Sequence, residues 1–500
     1  MELHNSTIYE LFQNNARQKG DRPAAISADK FFTNSQFLER LDQLAAGLNA
    51  KGISKGDRIC ILAQNSIAYL ELYGACAKTG AIAYPINWRL SPAEVSAVLE
   101  LADPKMLVVG MEHLPQIDGL DLTQFGVRAL IGEGSAEGFI SLSELYIPEI
   151  SEPSDVSNND PFAIISTAAV AGVPRGAVLT HANLLTAGDQ VINALKLTEE
   201  DRHLAALPFF HITGLGLCLA VMQGGGANVV MEKFDPAGAV QLMDEHNVTL
   251  VADFPPILQM LLDAREATGA SLQSLKHVAG LDAPDTIQRL YEETSAIFWT
   301  GFGQSETSGL VTIGRVDEKP GAAGKPLPLA QVRCVDEAGA EVPVGQPGEI
   351  VVQGPLVFAG YWRDPDGTKF ASRHGWHHTG DIGNFDEEGY LYYVGRKPEK
   401  ELIKSGGENI YPAEVENVIR ELPEVAAVCV IGVADKKWGE AVKAVIELHS
   451  GQSLTLGDVS SYVAEQIASY KKPQFVEFVD KLPRTDNGEI DRAKIKEIHS

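Results

Sequence analysis

The feature that most constrains the fold of this chain is the alternation of short apolar runs with helical patterns over its first 300 residues. Residues 58–63 form an apolar run, residues 68–78 have helical spacing, and residues 80–84 form a second apolar run. Strands separated by helices of this length indicate βαβ units, and hence a mostly parallel sheet with helices on its faces. The same order returns between Pro161 and Phe298, so we expect two such units.

Two further changes of pattern divide the rest of the chain. From about Gly321, short β-rich runs alternate with Gly, Pro and Asp turns, which is typical of a small antiparallel or barrel-like unit. From about Lys397, helical and strand patterns alternate over roughly a hundred residues. The sequence therefore predicts an α/β protein. Its large N-terminal domain (residues 1–396) has two βαβ-type subdomains and a small β-barrel-like subdomain, and a small, mobile α+β C-terminal domain (residues 397–500) follows.

Composition limits the classes of partner. The chain has 500 residues and a net charge of -26, which disfavours a nucleic-acid partner because a phosphate backbone would be repelled. We see no apolar run long enough for a membrane helix and no basic, apolar leader at the N-terminus. The five cysteines lack CxxC spacing and favour buried free thiols in a reducing compartment. A cytoplasmic protein without an integral membrane segment is expected.

The stretch from Trp376 to Pro412 carries the chemistry of a nucleotide site. Asp381 follows a Thr-Gly turn, and Arg396 ends a Tyr-rich strand fifteen residues later. A carboxylate can accept hydrogen bonds from both hydroxyls of a ribose, and a guanidinium can brace the same sugar or its phosphate. The following glycine pair, Gly406 and Gly407, would let the backbone approach a ligand closely. These residues indicate an enzyme that handles nucleotides.

An ordered set of motifs extends this interpretation over nearly the whole chain. The motifs occupy residues 207–211 (LPFFH), 279–284 (AGLDAP), 301–306 (GFGQSE), 348–350, 360–362, 378–381 (HTGD), 395–396, 405–412 (SGGENIYP) and 482–485 (LPRT). In this order the chain resembles the adenylate-forming superfamily, which comprises acyl-CoA synthetases, luciferases and the adenylation domains of peptide synthetases.

The resemblance implies a reaction in two halves. ATP and a carboxylic acid would give an acyl-adenylate and pyrophosphate, and the thiol of CoA would then attack the mixed anhydride. Because an anionic carboxylate must meet an anionic phosphate, cations and backbone donors at the α-phosphate would carry the catalysis. We therefore expect an acid:CoA ligase that uses ATP, Mg²⁺ and CoA, with a free small-molecule acid as its substrate.

Each matched motif implies a role for particular residues. The predicted catalytic residues are His211, Glu306 and Arg396, with Glu306 also the metal ligand. Phe302 would stack on adenine, although a phenylalanine could also be a core aromatic. The predicted nucleotide, phosphate and CoA contacts are Ser166, Thr167, Arg175, Asp282, Ala283, Pro284, Phe302, Gly303, Gln304, Ser305, Asp381, Arg396, Gly406 and Gly407. The predicted walls of the acid pocket are His211, Phe254, Gly280, Leu281 and Gly303.

The phosphate loop departs from the pattern of the superfamily. That loop reads roughly T-S-G-T-T-G-x-P-K-G, whereas residues 167–176 read TAAVAGVPRG. Most hydroxyls and the central glycine are missing, and Arg175 replaces the lysine. The segment lies between a strand and the helix that begins near His181, so backbone N–H groups, Ser166 and Thr167 remain as phosphate donors.

A second departure concerns the tail, where the superfamily places a lysine that bridges the carboxylate and the α-phosphate. Here Glu489 stands at that position. An anion there would raise the free-energy barrier to adenylation by several kcal/mol if its side chain entered the site. Arg492, Lys494 or Lys496 could substitute, Glu489 could stay outside and leave a slower enzyme, or the thioester half-reaction could dominate. We expect residual ligase activity with a modified site.

The interdomain hinge is the third departure. Residues 397–401 (KPEKE) are about two residues longer than the usual segment, so Pro398, Glu399 or Lys400 would be the pivot.

Two alternatives stay open, together with the identity of the acid. The chain could load a separate carrier protein, with Asp253 binding the ammonium of an amino acid. It could also be an impaired homologue that binds nucleotide or acyl-CoA as a regulator. The predicted pocket walls are apolar or small and contain no Arg or Lys, which favours a medium-chain, aromatic or alicyclic acid over a dicarboxylic one. The sequence is also compatible with a homo-oligomer.

Overall fold

A computed structural model describes residues 6–148, 154–170, 173–397, 401–485 and 489–500. Its helices begin at strong capping residues, and Thr7, Thr33, Ser91, Thr180 and Thr455 each form a capping box. The described helices are α1 (Ile8–Lys19), α2 (Asn34–Ala50), α3 (Ile67–Thr79), α4 (Pro92–Ala102), α5 (His181–Leu195), α6 (Ile212–Gly224), α7 (Pro236–Glu245), α8 (Ile257–Thr268), α9 (Pro284–Glu293), α10 (Pro365–Ala371), α11 (Pro412–Ile419), α12 (Leu456–Gln466) and α13 (Arg492–His499).

The strands are short, with the longest in the C-terminal part and in one hairpin. The described strands are β1 (Pro23–Ile26), β2 (Phe31–Thr33), β3 (Arg58–Leu62), β4 (Ile82–Pro85), β5 (Met106–Gly110), β6 (Val127–Ile131), β7 (Ile140–Ser141), β8 (Pro161–Val170), β9 (Val173–Thr180), β10 (Arg202–Ala205), β11 (Ala227–Val230), β12 (Leu250–Asp253), β13 (His277–Gly280), β14 (Ile297–Thr300), β15 (Gly303–Gln304), β16 (Gly309–Leu310), β17 (Thr312–Arg315), β18 (Lys325–Pro326), β19 (Gln331–Val335), β20 (Gly348–Gln353), β21 (Gly360–Tyr361), β22 (His377–Phe385), β23 (Leu391–Arg396), β24 (Ile403–Ser405), β25 (Glu408–Ile410), β26 (Val425–Asp435), β27 (Gly439–Leu448) and β28 (Phe475–Val479).

Two large sheets form the bulk of the N-terminal part. The first has the order β21-β9-β8-β4-β3-β5-β6-β7, and the second has the order β18-β17-β14-β13-β12-β10-β11-β1-β2. Strands β3, β4, β5 and β6 pair in parallel, as do β10, β11, β12 and β13. Helices that are apolar on the core side pack on these sheets, as βαβ order requires.

The structure differs from the predicted pattern of two βαβ units at two places. Strand β1 pairs in parallel with β11 of the second sheet, so the N-terminal 30 residues do not belong to the first sheet alone. The phosphate-loop segment forms a hairpin of β8 and β9, with Ser166 opposite Gly176 and Thr167 opposite Arg175, before α5 begins. Residues 171 and 172 of that segment lie outside the described residues.

The two smaller units follow. Strands β19, β20, β22 and β23 form an antiparallel sheet, in which Asp381 of β22 lies opposite Arg396 of β23. In the C-terminal part, β24 to β28 form one sheet around a separate apolar core that includes Val430, Val442 and Ile446. The predicted α/β class, with a large N-terminal domain and a small C-terminal one, is confirmed. The boundary between residues 396 and 397 stays a prediction.

Two expectations from composition can be compared with the structure. All five cysteines are buried and free. In the described parts of the chain, none of the helices combines the length and the apolarity needed to span a membrane.

Candidate active site

Asp381 is the best-organised polar residue of the candidate site. Its carboxylate is fully buried at the middle of β22, where Arg396 Nε lies 2.7 Å from Oδ1 and Gln304 donates to Oδ2. Gln304 also donates to the carbonyl of Thr379 at 3.1 Å. The predicted ribose acid, its arginine and one predicted phosphate residue are therefore brought together in a single group, by an ion pair and a hydrogen bond.

The arginine of this group keeps its charge. Burial alone would lower the pKa of Arg396, but the charge of Asp381 outweighs it and the pKa is raised. Two aromatic rings lie nearby: Phe302 is buried in an apolar cluster, and its ring centroid lies 6.4 Å from that of Tyr393, which is exposed. Phe302 thus lies in the core, and the partly exposed ring of Tyr393 lies beside it.

Glu306 lies on the turn after β15, two residues beyond Gln304. The hydroxyl of Tyr361 donates to Glu306 Oε1 at 2.8 Å, and burial together with that carboxylate raises the pKa of Tyr361. Within the part of the chain that the structure describes, no group of three His, Cys, Asp or Glu side chains could hold a metal. One hard carboxylate fits Mg²⁺ nevertheless, because this ion is usually bound by one or two carboxylates and the phosphates of the substrate.

Arg175, which replaces the usual lysine of the phosphate loop, is already engaged. Its Nε lies 3.0 Å from Asp364 Oδ2, and its guanidinium lies 5.1 Å from the centroid of the Tyr361 ring. Thr167 Oγ1 donates to the carbonyl of Arg175 at 3.4 Å. Arg175 therefore has to exchange Asp364 for a phosphate if it is to bind one.

His211 lies at the N-terminus of α6 and contacts a residue of the C-terminal part. Its Nε2 is 3.4 Å from Glu408 Oε1, and Glu408 also accepts hydrogen bonds from Arg89 and, at 3.3 Å, from Asn87. Burial alone would raise the pKa of Glu408, but His211 and Arg89 outweigh it and the pKa is lowered. Glu408 is therefore an ionised, charge-compensated residue next to the predicted catalytic histidine.

The glycine pair lies directly on the N-terminal part. Gly406 and Gly407 have φ angles of 56° and 83°, which favour glycine. A Cβ at Gly407 would lie 3.3 Å from Phe254, and one at Gly406 would lie 2.8 Å from the Trp438 ring. The predicted pocket wall Phe254 and the predicted CoA residues are thus in contact.

The same segment reaches the Asp381 group as well. Lys404 Nζ lies 5.4 Å from the centroid of the Tyr393 ring. Tyr411 interacts electrostatically with Arg396, Glu306 and Asp381, and burial raises its pKa. Residues 404–411, named here the bridging segment, therefore span from the Asp381 group to the contacts with Phe254 and His211.

The loop after β13 forms another wall. A Cβ at Gly280 would lie 1.8 Å from the carbonyl oxygen of Asp253, so only glycine fits there. Leu281, Ala283 and Pro284 are exposed, and Asp282 is partly buried. These predicted adenine-side residues lie on the surface next to Phe254.

Asp253 and Asp282 form a close carboxyl pair behind this loop. Asp253 is fully buried, and its Oδ1 accepts a hydrogen bond from the N–H of Leu258 at 3.0 Å. Burial, and then Asp282, raise the pKa of Asp253 well above its usual range. Burial also raises the pKa of Asp282. Asp253 is therefore a buried carboxyl group that caps α8 and whose ionisation is opposed by its surroundings.

The C-terminal tail is held by contacts within its own domain. The carbonyl of Glu489 accepts a hydrogen bond from the N–H of Thr485 at 2.8 Å. Arg492 pairs with Glu401 and Glu416, and Lys496 pairs with Glu401, while Lys494 is exposed. In this arrangement neither Arg492 nor Lys496 is at the Asp381 group. The hinge candidates Pro398, Glu399 and Lys400 lie outside the described residues.

A buried ion pair joins the two parts of the chain away from the site. Lys471 Nζ lies 2.6 Å from Glu94 Oε1 and 2.9 Å from Glu414 Oε2, and Glu94 Oε2 accepts the N–H of Ala468 at 2.9 Å. Burial alone would lower the pKa of Lys471, but Glu414 and Glu94 outweigh it and the pKa is raised. This pair fixes the C-terminal part against α4.

A cavity of about 660 Å³ lies at the other ends of the strands that carry the site. Trp299, Ile313, Ala194, Lys276 and Arg315 are among its lining residues, and none of the predicted site residues is. The N–H of Trp299 donates to His277 Nδ1 at 3.1 Å. The candidate site is therefore a cleft between the two parts of the chain, distinct from this cavity.

Sequence reasoning missed several residues of this cleft. Glu408, Arg89 and Tyr361 were not among the predicted site residues, although Glu408 and Tyr361 occur within quoted motifs. The available signal was a polar side chain directly after a glycine, which is Glu408 after Gly407 and Tyr361 after Gly360. Arg89 carries no local signal, because its partner Glu408 is 319 positions away.

Comparison with known proteins agrees with this architecture, a large α/β domain and a small α+β domain around a cleft with a buried carboxylate. Residues 12–362 match the family "AMP-binding enzyme", and residues 414–489 match "AMP-binding enzyme C-terminal domain". The chain belongs to the AMP-binding enzyme family.

Curated relatives cover nearly all of the chain. A feruloyl-CoA synthase from Amycolatopsis sp is 35% identical over 489 residues, which is 96% of both chains. An indoleacetate–CoA ligase from Aromatoleum aromaticum is 33% identical and covers 98% of both chains. An o-succinylbenzoate CoA synthetase variant from Bacillus subtilis, solved with a product analogue, is 28% identical, covers 99% of both chains and has a TM-score of 0.86.

These similarities confirm the predicted superfamily and the predicted enzyme class, that of the acyl-CoA synthetases. ATP and CoA are the substrates expected of such a family. The roles of individual residues, the modified phosphate loop and the glutamate at position 489 stay predictions.

Proposed function

We propose that this protein is an ATP-dependent carboxylic acid:CoA ligase that forms acyl-CoA, AMP and pyrophosphate through an acyl-adenylate. The observation that carries the proposal is the bridging segment, whose two ends, Lys404 and Tyr411, lie near the candidate ribose site while its middle lies against Phe254 and His211. A reaction that joins a nucleotide, an acid and a thiol needs these three binding regions next to one another. The family and its CoA-ligase relatives support the same chemistry.

In the first half-reaction, a carboxylate oxygen attacks the α-phosphorus of ATP and pyrophosphate leaves. Asp381 would accept the ribose hydroxyls after Gln304 releases part of its carboxylate, and Arg396 would brace the sugar and the α-phosphate. The adenine would lie along the exposed ring of Tyr393, beside the buried ring of Phe302. Ser166, Thr167, Ser305 and Arg175 would contact the other phosphates.

Glu306 would hold Mg²⁺ together with phosphate oxygens. The ion, when bound, neutralises charge on the phosphates. Glu306 itself is oriented for this by the hydroxyl of Tyr361, which occupies one of its oxygens and leaves the other for the ion.

In the second half-reaction, the sulfur of CoA attacks the acyl carbonyl and AMP leaves. The glycine pair would flank the pantetheine arm. Because Gly406 and Gly407 have no side chains, the bridging segment can lie against Phe254, which places the pair next to the predicted acid pocket. His211 would orient the acyl carbonyl, with Glu408 holding its ring. The described arrangement suits this half-reaction better than the first, since Arg492 and Lys496 are paired with Glu401 in their own domain.

The acid is expected to be apolar around its carboxylate. Phe254, Gly280 and Gly303 would form the walls, and His211 would lie at the mouth.

The test is AMP release in a coupled assay with ATP, Mg²⁺, CoA and a panel of aromatic, medium-chain, alicyclic and amino acids. We expect CoA-dependent AMP release with at least one aromatic or medium-chain acid. Exchange of pyrophosphate into ATP with amino acids only would favour carrier loading. No turnover with any acid, while nucleotide still binds, would favour the regulatory homologue.

A further inference from the structure

The cavity of about 660 Å³ at the starts of β13 and β14 has the size of a small-molecule site. Such sites typically measure about 300–1,000 Å³. The cavity is lined by the end of α5, the starts of β13 and β14, the strands β17 and β18, and the turn before β23. None of its lining residues belongs to the predicted active site. Its chemistry is therefore separate from that of the cleft.

The floor of the cavity is one face of the second sheet. Alternate residues of a strand share a face, so Ile297 and Trp299 of β14 lie together, as do Ile313 and Arg315 of β17. Trp299 pairs with Arg315 across the two strands, and His277 of β13 pairs with Ile297. All five residues line the cavity and are partly exposed. The floor is therefore a largely apolar and aromatic surface that the rest of the protein leaves partly uncovered.

His277 supplies a polar group at this floor. The N–H of Trp299 donates to His277 Nδ1 at 3.1 Å, so the other ring nitrogen, Nε2, carries the proton in the neutral ring. Burial lowers the pKa of His277, and the ring is therefore neutral at pH 7. Among the residues that the structure describes, none accepts a hydrogen bond from Nε2. His277 thus has a donor available for an oxygen of a ligand.

Positive charge exceeds negative charge around the cavity. The charged lining residues are Lys196, Lys276, Arg315, Lys325, Asp201 and Glu318. Four of these are cations and two are carboxylates, whereas the whole chain has a net charge of -26. A local excess of cations in a concave surface attracts anions. The cavity therefore favours an anionic ligand although the protein as a whole does not.

Two lysines carry this excess of positive charge. Lys276 and Arg315 are each already paired with a nearby carboxylate, at 3.0 Å and 2.6 Å. Within the described part of the chain, neither Lys196 nor Lys325 has a carboxylate partner. Lys325 Nζ lies 4.4 Å from the centroid of the Tyr390 ring, which also lines the cavity. The ammonium group of Lys325 is thus next to an aromatic wall.

The available donors favour a carboxylate over a phosphate. Phosphate recognition commonly uses guanidinium forks or the N–H groups of a helix N-terminus. The guanidinium of Arg315 is engaged by Asp317 and Glu318, which leaves two ammonium groups and one imidazole N–H. Ammonium groups act as point charges, and this set suits a single negative charge.

We propose that this cavity is a second small-molecule site, which binds an aromatic carboxylate. The aromatic body would lie on Trp299 and Ile297, and the carboxylate would lie toward Lys325 and Lys196. The inference does not rest on the proposed function, since the cavity and the cleft share no predicted residue.

The experiment uses 2-naphthoate as the probe and 2-naphthamide as a neutral compound of similar size. Binding is followed by fluorine NMR of the full chain labelled with 5-fluorotryptophan. Trp299→Phe identifies the Trp299 resonance among those of the five tryptophans. We expect 2-naphthoate to shift this resonance saturably, with a Kd roughly fivefold lower than that of 2-naphthamide.

Lys325→Glu tests the position of the carboxylate. Lys325 is exposed, so its replacement leaves the core intact. We expect the Kd of 2-naphthoate to rise roughly fivefold and that of 2-naphthamide to change little. Lys233→Glu is the matched control, because it makes the same charge change at an exposed position that does not line the cavity. This control is expected to bind both compounds as the wild type does.

Three results would each overturn the inference. They are a Trp299 resonance that stays in place up to about 1 mM 2-naphthoate, equal affinities for the two compounds, and equal Kd values in Lys325→Glu and Lys233→Glu. The last result would place any bound 2-naphthoate elsewhere, including the cleft. Equilibrium dialysis with the two lysine variants makes the same comparison without Trp299→Phe, so the inference is tested even if that variant does not fold.

Discussion

Glu408 Oε1 lies 3.4 Å from His211 Nε2, although 197 positions separate these residues in the chain. The contact joins the bridging segment to the start of α6, and Arg89 completes it from a third part of the chain. Because the pKa of Glu408 is lowered by both neighbours, the carboxylate is charged at neutral pH and helps to hold the two parts of the protein together.

Replacement of Glu408 by glutamine tests the role of this contact. The amide keeps the shape and an acceptor oxygen but loses the charge, so Arg89 loses its anionic partner. Since a hydrogen bond to a charged group is worth about 1.5–3 kcal/mol, we expect CoA-dependent turnover to fall about tenfold. Pyrophosphate release without CoA is expected to change less than twofold. Asn409→Asp, at the exposed next position, is the control, and an equal fall in both half-reactions would contradict the assignment.

The buried pair of Glu94 and Lys471 is expected to stabilise the described arrangement of the two parts. Lys471→Met leaves Glu94 and Glu414 without their cation, and breaking a buried pair typically costs about 3–5 kcal/mol. We expect thioester formation to slow at least tenfold in Lys471→Met. In the double variant with Glu94→Gln, part of the rate is expected to return. Strictly additive effects in this double-mutant cycle would show that the pair does not couple the two parts.

Asp381→Asn tests the candidate nucleotide site. The asparagine cannot accept two hydroxyls as a carboxylate does, and Arg396 loses its ion pair. We expect the Kd for AMP, measured by calorimetry, to rise at least tenfold. Asp386→Asn, at the turn between β22 and β23, is the control because it changes the same sheet away from the site. Unchanged AMP affinity in Asp381→Asn would place the ribose elsewhere.

Asp253 gives the folded protein a dependence on pH whose sign is fixed by its raised pKa. Above about pH 4 the carboxyl is ionised in the unfolded chain, while in the folded protein it keeps its proton. Folding therefore takes up a proton. As pH rises toward the folded-state pKa, stability falls by about 1.4 kcal/mol per pH unit relative to a chain without this group.

Asp253→Asn isolates this effect. The asparagine keeps an acceptor for the N–H of Leu258 and can donate to Asp282 without taking up a proton. We expect the Tm of the variant, relative to wild type, to increase steadily from pH 4.5 to pH 7. Asp263→Asn on the surface of α8 serves as the comparison. A Tm difference that stays constant over this range would mean that Asp253 is ionised in the fold.

Glu489→Lys tests the modified tail. If residue 489 enters the cleft during adenylation, exchange of an anion for a cation should raise the rate of pyrophosphate release more than the rate of thioester formation. Single-turnover measurement of both half-reactions decides this. Glu497→Lys, which makes the same charge change at an exposed position of α13, is the comparison. Equal effects on both half-reactions would show that residue 489 stays outside.

The α/β class could be predicted from the sequence because the signals are local. The apolar run at residues 58–63 is a strand, and the helix predicted at residues 68–78 is present with ends that differ by one residue. Both could be recognised because the spacing of apolar residues that distinguishes a strand or a helix is contained within the element itself. The hairpin around residues 171–172 was not predicted, because β9 begins within a segment that the motif alignment treats as a loop.

Partners distant in the chain could not be predicted in this way. Strand β1 pairs with β11, two hundred positions later, and nothing in residues 23–26 distinguishes this sheet from the other. The same applies to Glu408 with Arg89 and to Glu94 with Lys471, where each side chain has ordinary chemistry until the fold brings its partner close. Gln304 could be assigned to the site, but its bond to Asp381 depends on the approach of two subdomains.

The position of β1 limits which truncated fragments of this protein can fold. Helix α1 buries Ile8 and Phe12 in the core of the first sheet, whereas β1 covers the outer edge of β11 in the second. Deleting the first 33 residues would remove apolar side chains from the core beside the first sheet. It would also expose the unpaired N–H and C=O groups at the edge of β11 in the second sheet, and such an exposed edge promotes aggregation. Neither half of the large domain can therefore be produced in isolation by trimming from the N-terminus.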